Sequence, residues 1–217
     1  MSKILLTRPN HDPTTTYLYY WSEAIIDQAK ASNHKLYDLK GKSVTKFRFT
    51  CKIRCTRPQL VIINGHGDVD LTTGYDNQVL VQVGINESIL KNKIVYARSC
   101  SCAKKLGPAC VAKGTIAFIG YDDEFVFMYD ENSEDKPKED ETAALFLEPS
   151  NQIAINLLKG LSTEEANKVA LDLYHNAILS LSTSEATPED TELLPYLYWD
   201  MTHQKLLGDK SAMLNIS

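Results

Sequence analysis

Two uninterrupted apolar runs, Leu60-Val61-Ile62-Ile63 and Ile94-Val95-Tyr96-Ala97, restrict this chain more than any other feature. Neither alternates polar with apolar residues, so neither has a face to offer to water. Short runs of this kind read as strands covered on both sides. Helices above and below supply that cover, which predicts an α/β fold with a doubly wound, mostly parallel sheet. Both runs also stop abruptly. Asn64-Gly65-His66-Gly67 follows the first, and Arg98-Ser99-Cys100 follows the second. In an open α/β sheet, residues just past the carboxyl ends of the strands converge on one crevice. A histidine and a cysteine 34 residues apart can therefore meet there. Together they are a thiol nucleophile and its base.

The rest of the chain is consistent with such a sheet. Lys3–Thr7 reads as a first buried strand, Pro9–Thr16 as a loop, and Tyr17–Ala31 as a helix with Leu18, Trp21, Ile25 and Ala29 at helical spacing. Lys35–Leu39 is expected as a strand. Val44–Cys55 alternates, with Phe47, Phe49, Cys51, Ile53 and Cys55 on one side and Lys46, Arg48, Thr50, Lys52 and Arg54 on the other. That pattern predicts a half-exposed strand with a basic outer face. Leu71–Val83 reads as a hairpin around Gly74-Tyr75-Asp76-Asn77, Ala103–Lys113 as a short helix, and Thr115–Gly120 and Phe125–Tyr129 as strands. The last third is expected to be helical: Ala143–Lys159, a helix opened by the capping box Ser162-Thr163-Glu164-Glu165, and one near Leu193–Gln204. A final apolar stretch, Leu206–Leu214, closes a single domain spanning residues 1–217.

Hydrophobic content of 43% and charged content of 24% are ordinary for a globular protein. A net charge of −5 argues against direct nucleic-acid binding. No stretch approaches the ~20 apolar residues of a membrane span, and the N-terminus has no signal-peptide pattern. Five cysteines without an export signal suggest reduced thiols and a cytoplasmic setting. Charge is uneven, with eight basic residues and one acid between Lys35 and Arg57, and seven acids and two lysines between Asp130 and Glu141. Both are expected as solvated surfaces, or as docking elements for a partner. Residues 131–141 read as a mobile acidic loop.

The glycines around His66 allow a sharp turn and leave the Gly67 N–H free to face a ligand. With the Cys100 N–H it would form an oxyanion hole. His66 would serve as general base toward Cys100 and then as general acid toward the leaving amine. Cys51-x₃-Cys55 and Cys100-x-Cys102 lack the spacing of a structural zinc knuckle, so no metal and no organic cofactor are expected. His11, His34, His175 and His203 have no matched partner in the sequence and read as structural or surface residues.

These segments resemble the caspase-like cysteine peptidases, a superfamily that includes caspases, metacaspases, gingipains, legumain, separase and bacterial CHAT domains. There, one apolar strand ends in His-Gly and another in a small residue followed by the nucleophilic cysteine. The likeness is greatest to CHAT domains. Leu106–Tyr121 is similar to their helix and strand ending in Gly-Tyr, Leu158–Ala166 to a helix junction, and Leu206-Leu207-Gly208-Asp209 to their closing segment. The resemblance implies an endopeptidase acting on proteins, with Cys100 rather than Cys102 as nucleophile and with control exercised by a partner protein. It departs at Arg98, a slot often held by Asp, Glu, Gln or Ser. Arg98, joined by Arg8, is expected to line a pocket for an acidic side chain. Asp68 is the alternative, selecting a basic one. A silent caspase-like docking module is the other functional expectation.

Overall fold

In the computed structural model, which describes residues 1–214, the chain opens on β1 (Lys3–Arg8), buried at five of its six positions. Asp12 caps α1 (Pro13–Trp21), its carboxylate accepting from the Thr15 N–H, and Pro13 fills the first helical position where no N–H is needed. The expected single helix over Tyr17–Ala31 is in fact two. Ser22 ends α1 and precedes α2 (Glu23–Ala31), donating its hydroxyl to the Leu18 carbonyl. The half-buried β2 (Lys35–Lys40) follows.

Val44–Cys55 is not a strand. Lys46–Thr56 forms helix α3, capped by the Thr45 hydroxyl and ended by Arg57 in the left-handed region at φ 50°. Only Phe49 and Ile53, one turn apart, enter the core, while Phe47 is 76% exposed. Cys51 and Cys55, which the alternation sets on the apolar side with Phe49 and Ile53, lie part-buried and exposed. The cause is tertiary. β2 and β3 (Leu60–Asn64) flank β1 and both run parallel to it, so the chain must cross a sheet face between them. A parallel crossover is bridged by a helix far more readily than by a strand.

After β3 comes a three-stranded antiparallel ribbon: β4 (Gly67–Asp68), β5 (Leu71–Thr73) and β6 (Val79–Gln82). Its turn falls at the expected site, with Asp76 and Asn77 at φ 53° and 55°. β7 (Ile94–Arg98), α4 (Leu106–Ala112) and β8 (Ala117–Tyr121) follow. Phe125–Tyr129 pairs with no strand among the described residues. The free edge of β8 is taken by a later segment, and the Val126 N–H is satisfied instead by the Asp200 carboxyl at 2.9 Å. Phe125 and Phe127 pack into a cluster with Tyr17, Tyr121 and Phe146. Helices α5 (Glu141–Leu158), α6 (Thr163–Leu181) and α7 (Pro188–His203) complete the helical third, α6 with the expected capping box. β9 (Gln204–Gly208) then pairs antiparallel with β8.

The acidic segment expected to be mobile is fastened at several points. The Trp21 indole N–H donates to the Pro137 carbonyl at 2.7 Å, Lys138 pairs with Glu23 at 2.9 Å, and the Tyr17 hydroxyl donates to the buried Asp140 at 2.7 Å.

The main sheet runs β2-β1-β3-β7-β8-β9, parallel except at β9. Strand periodicity divides its side chains. Ile4, Leu6, Leu60, Ile62, Ile94 and Tyr96 pack under α2, α5 and α6. Leu5, Val61, Ile63, Val95 and Ala97 pack against α3, α4 and β6. Each fully buried aliphatic side chain contributes about 1.5–3 kcal/mol, and β3, with no exposed residue, gives to both cores. Among the described residues, no helix is long and apolar enough to cross a membrane.

Candidate functional site

β3 and β7 pair in parallel with Asn64 opposite Arg98. His66 and Cys100 each lie two residues further on, so they leave neighbouring strands at the same level, and strands in a sheet lie about 4.8 Å apart. The backbone around them is closely fitted. Gly65 sits at φ 153°, where a Cβ would be 2.2 Å from the Thr73 carbonyl oxygen. A Cβ on Gly67 would be 2.6 Å from the Cys100 carbonyl oxygen and 3.2 Å from its nitrogen. Only glycine lets the His66-Gly67 backbone lie this close to Cys100. The His66 carbonyl accepts from the Thr73 N–H at 2.9 Å, which anchors the turn to β5.

The imidazole is held by a carboxylate. His66 Nε2 lies 2.7 Å from Asp12 Oδ2. The other carboxylate oxygen of Asp12 accepts from the Thr15 N–H at 2.7 Å and from the Thr15 hydroxyl at 2.9 Å. Burial works to raise the Asp12 carboxyl, but the Thr15 N–H, the His66 ring and the Thr15 hydroxyl outweigh it and leave it below the usual carboxylate value. An ionised Asp12 accepts a proton-bearing Nε2, which leaves Nδ1 as the unprotonated nitrogen.

Cys100 is part-buried, and its thiol lies 3.9 Å from the Phe125 carbonyl. Burial pushes this thiol up from its ordinary value, opposed by the Phe125 contact and reinforced by Glu124 and Asp200. No hydrogen bond joins His66 to Cys100 among the described residues. Cys102 is wholly buried, donates to the Ser99 carbonyl at 3.2 Å, and is pushed up to about 12 chiefly by burial. Of the two, only Cys100 keeps some exposure to solvent. Immediately after it, Ser101 takes φ 55° and donates its N–H to the Asp123 carbonyl at 2.7 Å, which turns the chain away sharply.

The two arginines expected at a substrate pocket are elsewhere. Arg98 has the strand parity of Ile94 and Tyr96 and is fully buried beneath α5. Its guanidinium donates to Asn64 Oδ1, Asn151 Oδ1 and Ser22 Oγ, each at 2.7 Å. Arg8 is 5% exposed, pairs with both carboxylate oxygens of Asp38, and donates to the Tyr19 carbonyl. Neither is available to a ligand in the crevice. Asp68 is exposed on β4 beside His66, accepting from the Val69 N–H at 2.6 Å.

Sequence reasoning missed Asp12, His11 and Asp200. The first two follow β1, the strand next to β3, so the convergence rule that paired His66 with Cys100 points to them as well. Asp200 left no such signal. Its site is set by where α7 packs; it accepts from the Val126 N–H and its charge helps to raise the Cys100 thiol. Among the described residues the single cluster of metal-ligating side chains is His11, Asp12 and His66, with no cysteine in it. Comparison with protein-family models and with curated proteins found no match for this chain.

Asp12→Asn tests the holding role separately from the capping role. Asparagine caps a helix as well as aspartate does, so the melting temperature is expected to change little. A turnover number that depends on the Asp12–His66 pair is expected to fall by about 10²–10⁴, since an amide favours the wrong imidazole tautomer. KM should stay put, and kcat and KM measured across pH for both forms would show whether it does.

Proposed function

We propose that this protein is a caspase-like cysteine endopeptidase with Cys100 as nucleophile, His66 as general base and acid, and Asp12 as the residue that positions His66. The observation that carries the reading is that His66 and Cys100 each stand two residues past the registered pair Asn64 and Arg98 at the carboxyl ends of paired parallel strands, with Gly67 pressed against the Cys100 backbone. A mostly parallel sheet covered by helices on both faces is also what the resemblance implies.

Each step follows from that geometry. The Cys100 proton passes to His66 Nδ1 and the thiolate attacks the carbonyl carbon of a peptide bond. Negative charge develops on the carbonyl oxygen, within reach of the Gly67 and Cys100 N–H groups. His66 then gives its proton to the amine nitrogen, the C–N bond breaks, and a thioester remains on Cys100. Water, deprotonated by the same imidazole, attacks the thioester to release the new carboxylate and restore the thiol. Asp12 stabilises the imidazolium formed between these steps.

Charge at the crevice favours a basic side chain before the scissile bond. Asp68 stands exposed next to His66, and Glu124 is near enough to raise the Cys100 thiol, while Arg8 and Arg98 are turned away. Fluorogenic peptides ending in Arg or Lys are expected to be cleaved faster than those ending in Asp or Leu. Equal rates across all four would defeat this assignment of the pocket.

The resting thiol also supports control by a partner protein. A raised pKa delays thiolate formation to higher pH, so iodoacetamide should modify Cys100 slowly near neutrality and faster only above the ~8.5 of a free thiol. The rate at the Cys100 peptide, followed by mass spectrometry, separates it from exposed Cys55. A bound activator that closes the dyad would move this profile to lower pH and make it depend on His66. Rapid His66-dependent labelling of the protein alone would argue that no activator is needed.

A second reading, a docking module with a silent dyad, is favoured by one observation. The α3 helix presents Phe47 to solvent between Lys46 and Arg48. A stoichiometric partner lost on Phe47→Ser, with no cleavage under any condition, would select it.

A further inference from the structure

The two ring nitrogens of His11 are buried without a hydrogen bond. Its side chain is 10% exposed, yet neither ring nitrogen has a hydrogen-bonding partner. Nε2 lies 3.2 Å from Asp12 Oδ2 but off the line that a hydrogen bond requires. Leaving such a group unpaired is costly, and a buried group of this kind calls for an explanation such as a bound ion. The ring is not loosely placed. It packs on Tyr75 with centroids 5.2 Å apart and meets the His66 ring edge-on at 6.0 Å and 81°.

The donor atoms of His11, Asp12 and His66 all lie within 4.8 Å of one another. Two imidazole nitrogens and one carboxylate oxygen match the three protein ligands of zinc sites that keep an open position. At bond lengths of ~2.0–2.1 Å, tetrahedral zinc spaces its ligand atoms about 3.3 Å apart. Of the nitrogen–oxygen separations here, that of His11 from Asp12, 3.2 Å, is close to that spacing, and that of His66 from Asp12, 2.7 Å, has to open slightly to reach it. Calcium and magnesium prefer all-oxygen shells and fit poorly.

We propose that His11, Asp12 and His66 bind Zn²⁺, and that the bound ion switches off the Cys100–His66 dyad. The switch rests on the peptidase reading; the site does not. A neutral imidazole has one lone-pair nitrogen. When zinc takes Nε2, the ring proton moves to Nδ1, the nitrogen that must accept the Cys100 proton, and Asp12 is withdrawn at the same time. No bond to Cys100 is needed.

The test is Zn²⁺ affinity measured by competition with a chromophoric chelator, on the reduced protein carrying Cys51→Ser and Cys55→Ser so that these thiols take no part. One Zn²⁺ per chain is expected, with affinity retained in Cys100→Ala and weakened on the order of 10²-fold or more in His11→Ala and His66→Ala. His11→Gln serves where circular dichroism shows that the alanine variant is unfolded. Cobalt in place of zinc should give visible bands without thiolate charge transfer. Affinity unchanged in the folded His11 variants, affinity lost in Cys100→Ala, or a thiolate band would each overturn the site. With zinc bound as described, peptide cleavage that persists at saturating zinc would overturn the switch alone. A zinc-free protein that cleaves no peptide with or without a partner would defeat the peptidase reading and leave the site standing.

Discussion

Replacing Cys100 by alanine is expected to lower peptide cleavage by about 10⁴-fold or more, the scale seen when a nucleophile is removed from a unit whose members act together. Stability should barely move. The thiol is part-buried and has a single distant polar contact, the Phe125 carbonyl at 3.9 Å, so its loss opens little cavity. His66→Ala should fall to a similar floor, and the double variant should fall no further, because neither group works without the other. Cys102→Ala should do the opposite. Its sulfur fills space beside Gly120 in the closed core, where a Cβ built on that glycine would meet it at 3.0 Å, so this variant should melt earlier while still cleaving. kcat/KM on an arginine-containing peptide and a thermal melt for each variant decide the matter. If cleavage survived in Cys100→Ala and vanished in a folded Cys102→Ala, the nucleophile would have to be reassigned.

Arg98→Ala carries the largest expected effect on stability. The guanidinium has no carboxylate among its hydrogen-bond partners and is satisfied by neutral groups, Asn64, Asn151 and Ser22, with Ser150 at 3.4 Å. Burial lowers its pKa, which is the signature of a charge held at some cost. Its removal strands several buried acceptors and opens a cavity between β3, β7, α5 and the start of α2. A loss of about 3–5 kcal/mol is expected from the cavity and the stranded acceptors, which for a chain of this size lowers the melting temperature by roughly 6–20 °C. Substrate preference should be unaffected below the melting transition. A variant that melts like the wild type but accepts different side chains would mean that Arg98 reaches the crevice after all.

Arg98 also shows where one-dimensional reading ends. Its place two residues before Cys100 was plain, and so was its charge. Which way it points depends on strand parity at β7 and on α5 arriving over that face from 52 residues away. Asp12 illustrates the converse. Its role as helix cap could be inferred from Asp12-Pro13, but its hold on His66 depends on β1 lying beside β3. The α3 segment is the sharpest case. Its alternation satisfies a strand as written, and nothing within it states that β2 and β3 must be joined across a sheet face.

By itself, the sequence determined the strands that cannot face water, the glycines that let a backbone approach closely, the capping box of α6, and the two side chains that leave β3 and β7 at one level. These depend on hydrophobic period and on local backbone freedom, which are properties of adjacent residues. The tertiary structure alone decided that α3 is a helix, that β9 rather than Phe125–Tyr129 closes the sheet, that Arg8 and Arg98 are held inside the fold, and that Asp12 and His11 lie against His66. The reason is that a hydrogen-bonding group takes whichever partner the strand order brings to it, and strand order is settled by contacts between residues far apart in the chain.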